Sequence, residues 1–151
     1  MDRSTLALSL GVVGLVALGL ILVVTRPAPP PPDLTTPSGT VLAYALAEQR
    51  GDGQTAWDLL ASDLQQHSDR AQFLGLTSTQ RSQTEFFSTD QEVQNGNSAS
   101  VVLVHTYRSP SGGLLRTPES STRRTTVQLV RESGGWRLSV PPDPYALRRT
   151  A

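Results

Sequence analysis

Read only as apolar and polar positions, the chain changes rhythm three times. From Leu6 to Val24, LALSLGVVGLVALGLILVV, no charged or amide side chain interrupts the run. A helix of that length spans roughly 28 Å at about 1.5 Å per residue, close to the hydrocarbon thickness of a bilayer. Its glycines would weaken a soluble helix but are common in membrane ones. The run is longer than the apolar core of a cleaved secretory signal, and no small-x-small cleavage site precedes the prolines that follow. Residues 1–25 are therefore expected to form an uncleaved transmembrane anchor.

The second rhythm is RPAPPPPDLTTP, Arg26 to Pro37. Successive prolines lack amide hydrogens and clash with a preceding helical turn, so residues 26–37 are expected to form an extended, semi-rigid stalk.

The third begins at Ser38. In SGTVLAYALAEQRGD the residues Val41, Leu42, Ala45 and Leu46 recur at helical spacing, with Ser38 or Thr40 to cap the start and Gly51 to end it in a left-handed turn. Asp52 then caps a second helix, GQTAWDLLASDL, across a tight hairpin, and Ser68 or Asp69 opens a third over RAQFLGL. Past these the period falls to two. QTEFFSTDQEV runs into Asn95–Gly96–Asn97, a hairpin signal, and SASVVLVHTYRS follows. A turn at PSGG and a strand or loop near Leu114–Thr117 lead to RRTTVQLVRE. The SGG turn and WRLSV close the pattern, with Trp136, Leu138 and Val140 expected on one face. In the strand holding His105, both faces begin apolar. One cover is the helices, and a second copy of the chain is the expected cover of the other. Helices first and strands after make an α+β domain over 38–141. It comprises about three helices packed on one face of a curved antiparallel sheet of four to five strands. A flexible tail occupies 142–151.

Composition narrows the partners. Thirteen basic residues, all arginine, balance thirteen acidic ones, so no concentrated basic face argues for nucleic acid. The absence of cysteine excludes disulfides, thiol catalysis, thiolate metal sites and a lipid-modified cysteine. Arg3 before the apolar run, set against Arg26 after it, favours an amino terminus in the cytoplasm by the positive-inside rule. The expectation is a single-pass protein of the cytoplasmic membrane with its C-terminal domain extracytoplasmic.

The order of elements and its landmarks resemble the nuclear transport factor 2-like superfamily, the cystatin-like cones, and are most similar to bacterial extracytoplasmic members. The resemblance rests on Ala47, Gly51, Asp52, Ala56, Leu59 and Leu60 in an A-x-x-x-G-D-x-x-x-A-x-x-L-L stretch, from which Gly53 departs as an insertion, and on the closing Gly134–Gly135–Trp136 turn. It covers roughly Ser38 to Pro141. It implies a sheet curled around a long helix, with a cavity at the open end. Relatives use that cavity for small ligands or for isomerase or dehydratase chemistry, and others serve as scaffolds in membrane complexes.

For chemistry, His105 and Tyr107 share a strand face with Val101 and Leu103, and Trp57 is the further candidate for a ligand pocket. Packing is the preferred role of Trp57 and Trp136. An enzyme here would use His105 as base and Tyr107 as donor, with Glu85 or Asp90 as an orienting carboxylate. The carboxylates that isomerase-type relatives carry in the pocket match no position in this sequence. Two histidines make no metal site, and no Gly-rich phosphate loop or nucleophile elbow is present. No catalytic residue, metal or cofactor is assigned. The function expected from the sequence is a membrane-tethered binding or interaction module without catalysis, an accessory of an envelope complex. The alternative is a small-molecule enzyme using the cone cavity.

Overall fold

A computed structural model of the chain describes residues 30–78, 85–108 and 120–142. The expected anchor, the first four residues of the stalk, the PSGG turn, the strand or loop near Leu114–Thr117 and the tail from 143 lie outside the described residues. Among the described residues no helix is long and apolar enough to cross a membrane.

Among the described residues four helices precede four strands: α1 (Pro37–Arg50), α2 (Gly53–Asp58), α3 (Ser62–Gln66), α4 (Arg70–Thr77), then β1 (Glu85–Asn95), β2 (Ser98–Arg108), β3 (Ser120–Glu132) and β4 (Gly135–Val140). The strands form one antiparallel meander in the order β1-β2-β3-β4. The α+β architecture is the one expected, with corrections at three places.

The first correction is the start of the domain. Thr36, not Ser38 or Thr40, caps α1 by accepting from the Gly39 amide, and Pro37 opens the helix. Pro suits that position because its missing N–H has no helical partner there. Asp33 to Thr36 form a turn closed by the Thr36 amide on the Asp33 carbonyl. A Cβ on Gly39 would collide with the Asp33 backbone. The folded domain therefore begins at about Asp33, inside the expected stalk.

The second is the helix expected from Gly53 to Leu64, which breaks in two. Leu60 forms a parallel bridge with Leu138, and the amides of Leu138 and Ala61 donate to the Leu59 and Leu138 carbonyls, each at 2.9 Å. These bonds occupy the open edge of β4, which would otherwise present unpaired backbone groups. Helix continuity is lost in exchange.

The third concerns faces. In α1 the buried residues are Pro37, Thr40, Val41, Tyr44, Ala45, Ala47 and Glu48, while Leu42 and Leu46 are only half-buried. The Tyr44 hydroxyl donates to the Glu48 carboxylate at 3.0 Å, so two polar side chains join Val41 and Ala45 on the buried face in place of Leu42 and Leu46. In β4, Trp136 and Leu138 are buried but Val140 is 46% exposed. An extra residue in β4, Ser139, shifts the register between Gln128 and Leu129 and turns Val140 to the other face.

Gly51 ends α1 in the left-handed region at φ 74°, and Asp52 caps α2 through the Thr55 amide, as expected. Two sheet carboxylates then fasten helix starts to the sheet. Glu92 of β1 accepts from the amide and hydroxyl of Ser38, and Glu132 of β3 accepts from those of Ser62. At the other end of α1, the Gln49 amide donates to the Glu85 carbonyl at 2.7 Å. Helix α1 thus runs antiparallel to β1 across the inner face of the sheet. The core between them contains Val41, Tyr44, Trp57, Leu60, Phe73, Val101, Leu103, Val127, Leu129, Trp136 and Leu138.

Candidate functional site

The inner face of β2 reads Ala99, Val101, Leu103, His105, Tyr107, and burial falls steadily along it. The first three are sealed against the helices, His105 is half-buried and Tyr107 is 40% exposed. Polar chemistry therefore gathers where the sheet emerges from its helical cover, at the end holding Glu85, Arg108 and Ser120.

Register decides what stands beside His105. Phe87 of β1 lies opposite it on one side and Arg123 of β3 on the other, while Tyr107 lies between Glu85 and Ser121. The Phe87 and His105 rings stack at 4.7 Å between centroids, 19° from parallel. The His105 Nε2 is 3.3 Å from the Glu85 Oε2, with the two side chains 31% and 15% exposed. Both of those atoms are shielded from solvent, and neither has an aligned hydrogen-bond partner. They stand at ion-pair distance without the angle of a bond. Of the two carboxylates expected as orienting groups, Glu85 is the one that meets the histidine. Asp90 points to the outer face, 3.5 Å from Arg124.

This geometry comes from an irregularity. From Asn95↔Ser98 to Glu92↔Val101 the hairpin pairs without a break, but beyond it Thr89 pairs with Leu103. Two residues, Asp90 and Gln91, oppose Val102, which is a β-bulge. A one-residue shift moves every following side chain to the other face. Without it Ser88 would oppose His105, and Glu85 would face outward.

Of the three residues named from the sequence, the structure brings His105 and Tyr107 to one face. Trp57 sits elsewhere, 6% exposed and tilted against Phe73 at 5.3 Å, as a core residue. Sequence reasoning missed Phe87 and the buried Tyr44–Glu48 pair, and read Arg123 with Arg124 as solvated residues at the start of a strand without placing Arg123 beside His105. The i, i+4 spacing of Tyr44 and Glu48 was the available signal, whereas Phe87 and Arg123 needed the register. His67 lies at the surface, its Nδ1 2.9 Å from the Asp63 carbonyl oxygen at the end of α3. Among the described residues no three carboxylate or imidazole groups gather to hold a metal.

No family model matches the chain, and no curated protein matches it. Solved structures do. The chain is similar to a SEC-C motif containing protein from Rhodopseudomonas palustris, at TM-score 0.50 and 14% identity over 80% of this chain and 84% of the other. It is similar to a protein of Thiobacillus denitrificans provisionally named a calcium/calmodulin-dependent protein kinase type II association domain, at TM-score 0.50 and 16% identity over 75% and 93%. A protein of Streptomyces avermitilis, provisionally named a dehydratase of the nuclear transport factor 2-like family, follows at TM-score 0.44 and 16% identity over 71% and 93%, too slight a likeness to build on. The first two show the fold alone, an α+β domain built on an antiparallel sheet.

Proposed function

We propose that this chain presents a small-molecule site on a cone-type domain held outside the cytoplasmic membrane by residues 1–25. One observation carries the reading: the Glu85–His105 pair, its facing atoms shielded from water at 3.3 Å yet unaligned. Shielded polar atoms without aligned partners are costly and concentrate where a ligand or a proton completes them. Here they sit at the open end of the inner face, beside a half-exposed tyrosine. The tether is supported by the uninterrupted apolar run from Leu6 to Val24. A domain so placed suits an accessory of an envelope complex, and the exposed Phe86, Val93 and Val140 on the outer sheet face support self-association there.

Binding comes first in this reading. A second reading, acid–base chemistry of isomerase or dehydratase type on the bound molecule, is favoured by the same carboxylate. Glu85 can hold the imidazole in one orientation while its free nitrogen exchanges a proton with a ligand.

The test is a ligand-observed NMR screen of small planar acids, amides and alcohols on the full chain, repeated with His105→Phe, which keeps a ring against Phe87. Binders that lose contact in the variant are expected. A screen in which every binder is indifferent to His105→Phe sinks the proposal. A reaction would be sought only among the binders that depend on His105.

A further inference from the structure

Arg123 stands across the ladder from His105 and on the same face. The next residue, Arg124, is on the other face and lies 3.5 Å from Asp90. Arg123 makes no ion pair among the described residues, and it is exposed. Among the described residues the site thus contains a cation without an ion-pair partner, one strand away from an imidazole.

The rings give that cation a direction. Phe87 covers the β1 side of the His105 imidazole in a near-parallel stack, so the opposite ring face looks toward β3 and Arg123. A flat group entering there would lie against the imidazole and meet the guanidinium at its far end. Arginine presents two parallel N–H donors that match a carboxylate, and a charge-assisted pair of that kind is about twice as strong as a neutral one. Glu85 does not spoil the field for an anion. It lies on β1, on the far side of His105, and its charge is directed at the imidazole.

We infer that the site takes a small planar organic carboxylate, its acid group on Arg123 and its flat skeleton over His105. The inference rests on the small-molecule reading above and names the ligand class. Tyr107, between Glu85 and Ser121 in the adjoining row, adds a hydroxyl beside the skeleton.

Benzoate and its uncharged isostere benzamide are the probes, titrated by ligand-observed NMR into the full chain and into Arg123→Gln, Arg123→Lys and His105→Phe. Arg123 is exposed, so its variants are expected to fold, which their amide spectra check. Benzoate should bind more tightly than benzamide. Arg123→Gln should weaken benzoate about tenfold or more, as expected for losing one charge-assisted contact, and leave benzamide unchanged. Arg123→Lys should recover part of the loss. Benzoate binding that ignores Arg123→Gln, or no benzoate binding at all, overturns the carboxylate assignment. The broader reading survives that result if benzamide binds and depends on His105. If neither probe binds and the wider screen also yields nothing that depends on His105, both fail together.

Discussion

At the scale of single residues, charge is used chiefly to fasten elements to one another. The Glu92 carboxyl is held below its ordinary value of 4.5, first by the Ser38 hydroxyl, then by the Gln94 amide, with the Ser38 N–H adding to them. Asp52 and Asp33 are lowered too, first by Thr55 and by Thr35 respectively. The sign follows from linkage. A carboxyl whose pKa is lower folded than unfolded contributes stability above the unfolded value, and loses it as the pH falls through the folded one. Glu92→Gln should therefore lower stability at neutral pH by about 0.5–1 kcal/mol, toward the small end for a helix cap because the carboxylate is exposed. The gap should close as the pH falls from 4.5 toward the lower folded value. Urea melts of both proteins across that range measure it. An equal gap at neutral and acid pH would mean that shape, and not ionisation, makes the Glu92 contact matter.

At the scale of elements, β1 is where the site is decided. Its first half, EFFSTD, has a phenylalanine for either face, so hydrophobicity alone scarcely prefers one register over the other. In the observed register Phe87 is half-buried against His105 while Phe86 is 53% exposed under the Arg108 guanidinium, 5.6 Å from its ring. The bulge at Asp90–Gln91 makes the choice. Deleting Ser88, beyond the bulge, should leave Thr89 opposite Leu103 but bring Phe86 opposite His105 and exchange the faces of Phe86 and Phe87. Glu85 would then turn outward, in a chain that still folds. Cross-strand nuclear Overhauser contacts between β1 and β2 report this directly, and binding that depends on His105 should disappear with them. If His105 kept its contacts to Phe87 after the deletion, the bulge would have given way and would not be the determinant. The same feature explains how far the sequence could be read. The alternation of Ala99, Val101 and Leu103 announced β2 and its buried face, and Gly51, Asp52 and Asn95–Asn97 announced the ends of elements, because each is a local signal. The break of the second helix at Leu59–Ala61 was silent, since it depends on pairing with Leu138, far away in the chain. So was Glu85 beside His105. Two residues on one strand can be assigned to a face by counting, but their neighbours across the ladder depend on every bulge between them and the turn.

At the scale of the whole molecule, the hypothesis is about place. A site at one end of a cone could serve equally well in any compartment. The proposed anchor in the pattern before the domain would confine it to a surface. About nineteen apolar residues suffice to cross a bilayer, whereas a cleaved signal needs fewer and ends in a small-residue site that is not found before Arg26. Because the folded domain begins at about Asp33, the spacer expected from the sequence shortens to roughly Arg26–Pro32. The chain's formal net charge of zero supplies no strong attraction to anionic lipid in place of a spanning helix. Fractionation should therefore find the intact chain in membranes that have been washed with alkaline carbonate, and removing residues 1–25 should release it entirely. Protease added to intact spheroplasts should digest the domain. Extraction by carbonate alone would replace the spanning helix with a peripheral attachment. A domain protected from the protease until the membrane is opened would keep the helix but reverse its direction, and the ligand would then be sought among molecules of the cytoplasm.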